Sequence, residues 1–286
     1  MFKIKVNAKI NLSLDITGKQ PNGYHLLDMV MSSVNLYDVI TFVKRKDKQI
    51  TVKYSNGISF DNDIALKTAK MLVDKYNFCG ADIFIEKHIP EKSGLGGSSA
   101  DSSGVIFGLC RLNDYPIKNI NLQDIMKLGS DVYYMLYGGT RRVQGTGDII
   151  SDLIITPNLN FVLLTDNNGV DTATSYKTYK YGYNRFDNDT LIDKLQKGDS
   201  NFSDYFCNAL YDSSRLLNEN IDRKMDILRN AGATKVFMTG SGSGVLGYFD
   251  SNDSINSAKE KLQTACKGKY GIFYLNNTNI AIDIFE

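Results

Sequence analysis

Between Pro90 and Asp101 the chain reads Pro-Glu-Lys-Ser-Gly-Leu-Gly-Gly-Ser-Ser-Ala-Asp, and no other segment limits the possible folds as strongly. It follows an alternating apolar run, Ala81, Ile83 and Ile85, with the two-residue period of a half-buried strand. It precedes Val105, Ile106, Leu109 and Leu112, which share one helical stripe. The order is strand, glycine-rich loop, helix. Such a junction is built for anions: glycine lets backbone N–H groups approach a ligand, serine adds hydroxyl donors, and the helix N-terminus adds unpaired N–H groups and partial positive charge. A plain connection with a serine N-cap needs one or two such residues. Here three glycines and three serines occupy six of the seven positions from Ser93 to Ser99, so a triphosphate is the expected ligand.

Two other phosphate motifs are excluded. The pattern GxxxxGK[ST] occurs nowhere in the chain, so this is not a P-loop NTPase. Gly242-Ser243-Gly244-Val245-Leu246-Gly247 has the GxGxxG spacing of a dinucleotide site, but an apolar, strand-like run to Phe249 follows it where a helix is required. The segment reads as a strand-loop-strand turn. Thr239 to Gly244 is either a simple hairpin or a second glycine-rich loop that closes over the phosphates from another sub-domain.

The chain has 286 residues, enough for one large domain or two sub-domains sharing a cleft. Lys and Arg total 33 against 32 Asp and Glu, so there is no basic field to hold a nucleic-acid backbone. Cys79, Cys110, Cys207 and Cys266 are widely spaced, form no CxxC pair, and read as reduced core thiols. The N-terminus alternates charged and apolar residues, unlike a signal peptide, and no stretch approaches the roughly 20 apolar residues of a membrane span. A soluble cytoplasmic protein, with neither nucleic-acid nor membrane partners, is expected.

Along the chain, Ile4 and Val6, then Ile10, Leu12, Leu14 and Ile16, alternate with polar neighbours as a strand does. Gln20-Pro21-Asn22-Gly23 supplies turn chemistry before a second strand-rich run from Leu26 to Val43. Ala65, Ala69, Leu72 and Tyr76 predict a helix, as do Leu122 to Met126. Beyond a soft boundary near residue 155 come a strand from Asn160 to Leu164 and a polar, tyrosine-rich stretch. Then follow a helix through Ile221, Met225 and Leu228, a strand over Val236–Met238, a helix through Ile255, Ala258, Leu262 and Ala265, and a closing strand over Ile280, Ile282 and Ile284. The whole is an α+β pattern.

Three separated motifs, Asn7-Ala8-Lys9-Ile10-Asn11-Leu12, the Pro90 loop, and Gly240 to Gly244, resemble the three signatures of the GHMP kinases. Gly18 to His25, Asn35-Leu36-Tyr37-Asp38, Leu128 to Val132 and Gly138-Gly139-Thr140 are similar to the branch of that family acting on a cytidine-diphosphate-linked methylerythritol. The resemblance implies a two-lobed fold: an N-terminal α/β lobe like ribosomal protein S5 over residues 1–155, and a ferredoxin-like C-terminal lobe over 156–286. It implies a kinase that uses ATP and Mg²⁺ to phosphorylate the 2-hydroxyl of that substrate in isoprenoid synthesis, as a monomer or weak homodimer. Another small alcohol, homoserine or a mevalonate derivative, and a non-catalytic nucleotide-binding regulator are the alternatives.

The resemblance also assigns roles. Lys9 and Asp131 are the catalytic pair. A carboxylate can orient the attacking hydroxyl and accept its proton late in a loose transition state, while lysine balances charge. Outside the family, Asp131 after Gly129-Ser130 would be a helix cap and Lys9 an edge lysine. ATP falls to Lys87, Pro90, Gly94, Leu95, Gly96, Gly97, Ser98, Ser99 and Ala100, with Gly240, Ser241 and Gly242 as the third glycine motif. Tyr24 and Tyr176 sandwich the cytosine, His25 binds its edge, Asn11 lies near the reacting hydroxyl, and Lys177 reaches the substrate phosphates. No protein side chain is assigned to the metal. Otherwise, His25 is a satisfied, partly buried histidine, Lys87 a solvated lysine, and the tyrosines from Tyr176 to Tyr183 an amphipathic surface. Four departures from the family pattern stand out: Tyr133-Tyr134 where a Pro and then aromatics are usual, Asp63 for an Asn near the adenosine, Glu91-Lys92 in a usually small, apolar stretch, and Ser98 for a Gly. Glu91 would repel triphosphate unless Lys92 or Mg²⁺ screens it.

Overall fold

The computed structural model describes residues 1–55, 57, 63–180 and 186–285. The N-terminal alternation forms strand β1 (Phe2–Lys19), and after the Gln20–Tyr24 turn β2 (His25–Lys44) returns antiparallel along its length. In that turn the Gly23 N–H donates to the Gln20 carbonyl at 2.9 Å. The in-out alternation of β1 does not survive as burial: every residue from Val6 to Ile16 is buried. A helix packs on this strand, three bulges twist it, and its Asn11 N–H reaches Thr239 in the C-terminal half. Strand β3 (Ile50–Tyr54), helix α1 (Ile64–Tyr76) and β4 (Ala81–Glu86) follow, with β3 parallel to β4 and β4 antiparallel to β2. The predicted face of α1 is buried at Ala65, Ala69 and Leu72.

The glycine loop leads into α2 (Gly97–Leu112), which packs on α1, β1 and β2. Two short helices, α3 (Leu122–Leu128) and α4 (Val132–Tyr137), then bring Asp131 back to the loop before β5 (Arg141–Gly145) and β6 (Ile149–Ile150). Strand β5 pairs with β2.

The C-terminal half begins with β7 (Asn160–Thr165), buried throughout. Helices α5 (Thr172–Thr178) and α6 (Asn188–Lys197), strand β8 (Cys207–Asn208) and α7 (Tyr211–Leu217) are followed by α8 (Asn220–Ala231), β9 (Lys235–Met238), β10 (Val245–Phe249) and α9 (Asn252–Cys266). The chain closes with β11 (Gly271–Thr278) and β12 (Ile282–Phe285). The spatial order β9-β10-β7-β11 is antiparallel throughout, and α8 and α9 pack together on that sheet. This is the split β-α-β arrangement of a ferredoxin-like lobe. Strand β11, absent from the sequence reading, bonds to β7 through Gly271–Asn276 and to β2 through Asn277 and Thr278, so one strand belongs to both sheets. The closing strand begins at Ile282, leaving Ile280 outside it. Among the described residues no helix is long and apolar enough to cross a membrane.

Candidate active site

A cleft of about 680 Å³ lies between the glycine loop, the Gly129–Asp131 turn, the segment Gly169–Thr172 and the turn Gly240–Gly242. The loop's shape depends on two glycines. Gly94 has φ +77°, and a Cβ there would come within 2.1 Å of the Thr239 carbonyl oxygen. Gly96 has φ +71°, and its Cβ would meet Met135 Cε at 2.7 Å and Lys9 Cγ at 3.1 Å. The Lys9 stem therefore runs directly beneath Gly96. The Lys9 N–H also donates to the Leu95 carbonyl at 3.0 Å, tying β1 to the loop. Among the described residues no acceptor pairs with the N–H groups of Gly94, Leu95 and Gly96, and the first turn of α2 leaves its own N–H groups open. These open donors and the Ser98 and Ser99 hydroxyls give the loop the chemistry to bind an anion.

Not every residue assigned to ATP faces the cleft. The Leu95 side chain is buried, so its contribution is its backbone. Ala100 is fully buried, its N–H is donated to the Gly96 carbonyl at 2.8 Å, and it does not line the cleft. Its place is inside the helix that presents the loop. Pro90, Gly97 and Ser98 do line the cleft.

Lys9 is 4 % exposed, and its ammonium lies 3.2 Å from Asp131 Oδ2 while donating to Asn11 Oδ1 at 2.7 Å. It is thus no edge lysine. Asp131 precedes α4, yet its side chain makes no capping hydrogen bond and instead faces Lys9 and the cleft. Asn11 is fully buried and also donates to Met29 Sδ at 3.3 Å, so it holds Lys9 instead of opening onto the cleft.

Lys87 is not solvated. Its ammonium is enclosed by the Asp38 carboxylate and Asp101 Oδ2, the latter at 2.6 Å. Asp38 Oδ1 also accepts from the N–H groups of His88 at 2.5 Å and Ile89 at 2.8 Å, fixing the backbone that enters the loop. Burial opposes the Lys87 charge, but the two carboxylates outweigh it and hold its pKa above the ordinary lysine value. Burial pushes Asp101 up to about 8, Lys87 offsetting only part of it and Asp38 adding to it. Among the described residues Asp101 Oδ1 is buried without a hydrogen-bond partner, which adds to the cost of its charge. Asp38 and Asp101 both lie in motifs visible in the sequence, but nothing there marks either carboxylate as buried beside Lys87.

Where Tyr176 lines the cleft, its ring lies 4.9 Å from that of His25, tilted by 37°. Burial, then Lys19, lowers the His25 pKa. Tyr176 lines the cleft, but its ring faces His25 and not Tyr24, which is 67 % exposed on the turn. Lys177 is exposed and outside the lining. Of the tyrosine-rich stretch, Tyr181 and Tyr183 fall outside the described residues.

The departures have physical readings. Asp63 lines the cleft and caps α1, accepting from the Leu66 N–H at 3.0 Å and the Tyr54 hydroxyl at 2.9 Å, roles that Asn fills as well. Tyr134 is buried and donates to the Gly139 carbonyl at 2.5 Å, securing the glycine pair without a proline. Glu91 and Lys92 are exposed at the cleft mouth and form no ion pair with each other; after Thr174, Lys92 is what lowers the Asp171 pKa. The turn at Gly240–Gly242 is at once a hairpin between β9 and β10 and a wall of the cleft. The segment Gly169–Thr172 completes that wall, a role unmarked in the sequence.

Residues 63–139 match the family described as GHMP kinases N terminal domain, and 191–268 that described as GHMP kinases C terminal. A Clostridium tetani protein named 4-diphosphocytidyl-2-C-methyl-D-erythritol kinase is 34 % identical over 291 residues, covering 97 % of this chain and 100 % of its own. One of the same name from Lachnoclostridium phytofermentans is 33 % identical over 94 % of this chain and 95 % of its own. A crystal structure of 4-(cytidine 5'-diphospho)-2C-methyl-D-erythritol kinase shares the fold with a TM-score of 0.79 at 23 % identity, over 96 % of this chain and 98 % of that one. The homoserine kinase from Cytophaga hutchinsonii does so with a TM-score of 0.75 at 14 % identity, over 99 % and 97 %.

Proposed function

The chain belongs to the GHMP kinases, and on that premise we propose that it moves the γ-phosphoryl group of ATP onto the 2-hydroxyl of 4-diphosphocytidyl-2-C-methyl-D-erythritol. The reaction belongs to non-mevalonate isoprenoid synthesis and takes place in the cytoplasm. The observation that carries this reading is the Lys9–Asp131 pair, 3.2 Å apart, set in one cleft with the glycine loop. It is supported by full-length relatives bearing that enzyme name.

The open N–H groups from Gly94 to Ser99 and the Ser98 and Ser99 hydroxyls hold the phosphates. Asp131 orients the acceptor hydroxyl toward phosphorus and takes its proton as the O–P bond forms. Lys9, fixed by Asn11 and by its passage under Gly96, stabilises the negative charge that gathers on the transferred group. The cytosine lies against Tyr176 and His25, with Tyr24 closing from the turn. Ser98, Ser99 and Asp131 on the cleft wall offer oxygens that would hold Mg²⁺, which would supply positive charge against the phosphates.

A coupled ADP-release assay with ATP, Mg²⁺ and 4-diphosphocytidyl-2-C-methyl-D-erythritol tests the proposal, with homoserine and mevalonate as controls. Turnover is expected with the first acceptor alone. Turnover at background with it overturns the reading, and turnover with a control instead moves the assignment to that alcohol.

A further inference from the structure

Behind the turn that walls the nucleotide end of the cleft lies a buried charge pair that the transfer chemistry does not use. Lys224, on α8, is 0 % exposed and outside the cleft lining. Its ammonium donates to the Ser243 carbonyl at 2.5 Å and to Asp166 Oδ2 at 3.1 Å. Asp166 Oδ1, at the end of β7, accepts from the Ser243 hydroxyl at 3.0 Å and from Asn218 Nδ2 at 3.5 Å. Ser243 is thus gripped twice, by a cation through its carbonyl and by an anion through its hydroxyl.

From the other side the same residue grips the phosphate loop. The Ser243 N–H donates to the Lys92 carbonyl and the Gly244 N–H to the Ser93 carbonyl, both at 3.2 Å. Lys92 and Ser93 immediately precede Gly94. A continuous line of hydrogen bonds therefore runs from Lys224 and Asp166 through Ser243 to the loop. A buried ion pair is a poor source of net stability, because apolar residues of like volume often do as well. What it supplies that apolar residues do not is a fixed direction for the groups it bonds. Burial lowers the Lys224 pKa, and Asp166 offsets only part of that.

We propose that Lys224 and Asp166 are positioning residues that set the phosphate loop through Ser243, and so govern affinity for the β- and γ-phosphates from outside the cleft. The inference rests on ATP as the ligand of the cleft.

The test compares ATP and AMP binding by calorimetry, and KM for each substrate, in the wild type and in Lys224→Met/Asp166→Leu, which removes both charges at similar volume. The double variant should melt near the wild-type temperature, bind ATP roughly tenfold more weakly, and keep AMP affinity and acceptor KM within about twofold. Unchanged ATP affinity in the folded variant overturns the proposal, as does equal weakening of ATP and AMP, which marks general damage to the lobe. Should the double variant not fold, Ser243→Ala decides. It keeps the carbonyl contact and loses the hydroxyl one, so its ATP-to-AMP affinity ratio should fall roughly threefold, and an unchanged ratio overturns the strut. Failure of the wild type to bind ATP removes the nucleotide reading itself.

Discussion

Gly94 and Thr239 meet so closely across the seam between the two halves that a Cβ on Gly94 would stand 2.1 Å from the Thr239 carbonyl oxygen. Alanine at Gly94 must adopt a positive φ and push the two loops apart, at a cost of about 1–3 kcal/mol. Urea unfolding of Gly94→Ala should show that loss, and steady-state kinetics should show KM for ATP raised at least roughly tenfold. Wild-type KM for ATP in that variant would detach the loop's shape from nucleotide binding.

Asp131→Asn keeps the size of the side chain but cannot take a proton from the acceptor. Turnover should fall by roughly 10² to 10⁴ while ATP still binds within about twofold of wild type, measured by single-turnover kinetics alongside calorimetry. Full activity removes Asp131 as the base.

Tyr176→Ala should raise KM for the cytidine-bearing acceptor roughly three- to tenfold and leave KM for ATP alone, since it removes an aromatic face from one end of the cleft. Tyr24→Ala should act in the same direction. Its ring has no aromatic partner among the described residues and is available to cover the other face of the base. An effect confined to ATP would place both tyrosines at the wrong substrate.

The Asp101 carboxyl carries a pH signature. Its folded pKa of about 8 lies above the ordinary value of 3.8, so between those limits the folded state holds a proton that the unfolded state has lost. Its stabilising contribution is complete below about pH 4, declines as pH rises, and is gone above about pH 8. The melting temperature of the wild type relative to Asp101→Asn should fall across that window and level off beyond it. A flat difference would mean that Asp101 is ionised in the native protein.

Much of this was legible because the phosphate loop is local in sequence, with strand period, glycines, serines and helical stripe all within about thirty residues. Lys9 and Asp131 stand 122 positions apart, and only resemblance joined them. What escaped has physical causes. Helix α4 has six residues, too few to show a period. Strand β11 presents a mixed face because it serves two sheets, so its burial does not alternate. The Lys87 cluster and the Lys224–Asp166 pair are tertiary, and a buried lysine looks in sequence like any other.

The double membership of β11 has a mechanical consequence. Its first six residues are bonded to β7 and its last two to β2, so no flexible joint separates the halves along that strand. A wide swing of one lobe against the other would break a continuous ladder, which makes a clam-like hinge expensive. The short segments at the cleft mouth, Glu91–Lys92 and Gly169–Thr172, lie outside that ladder.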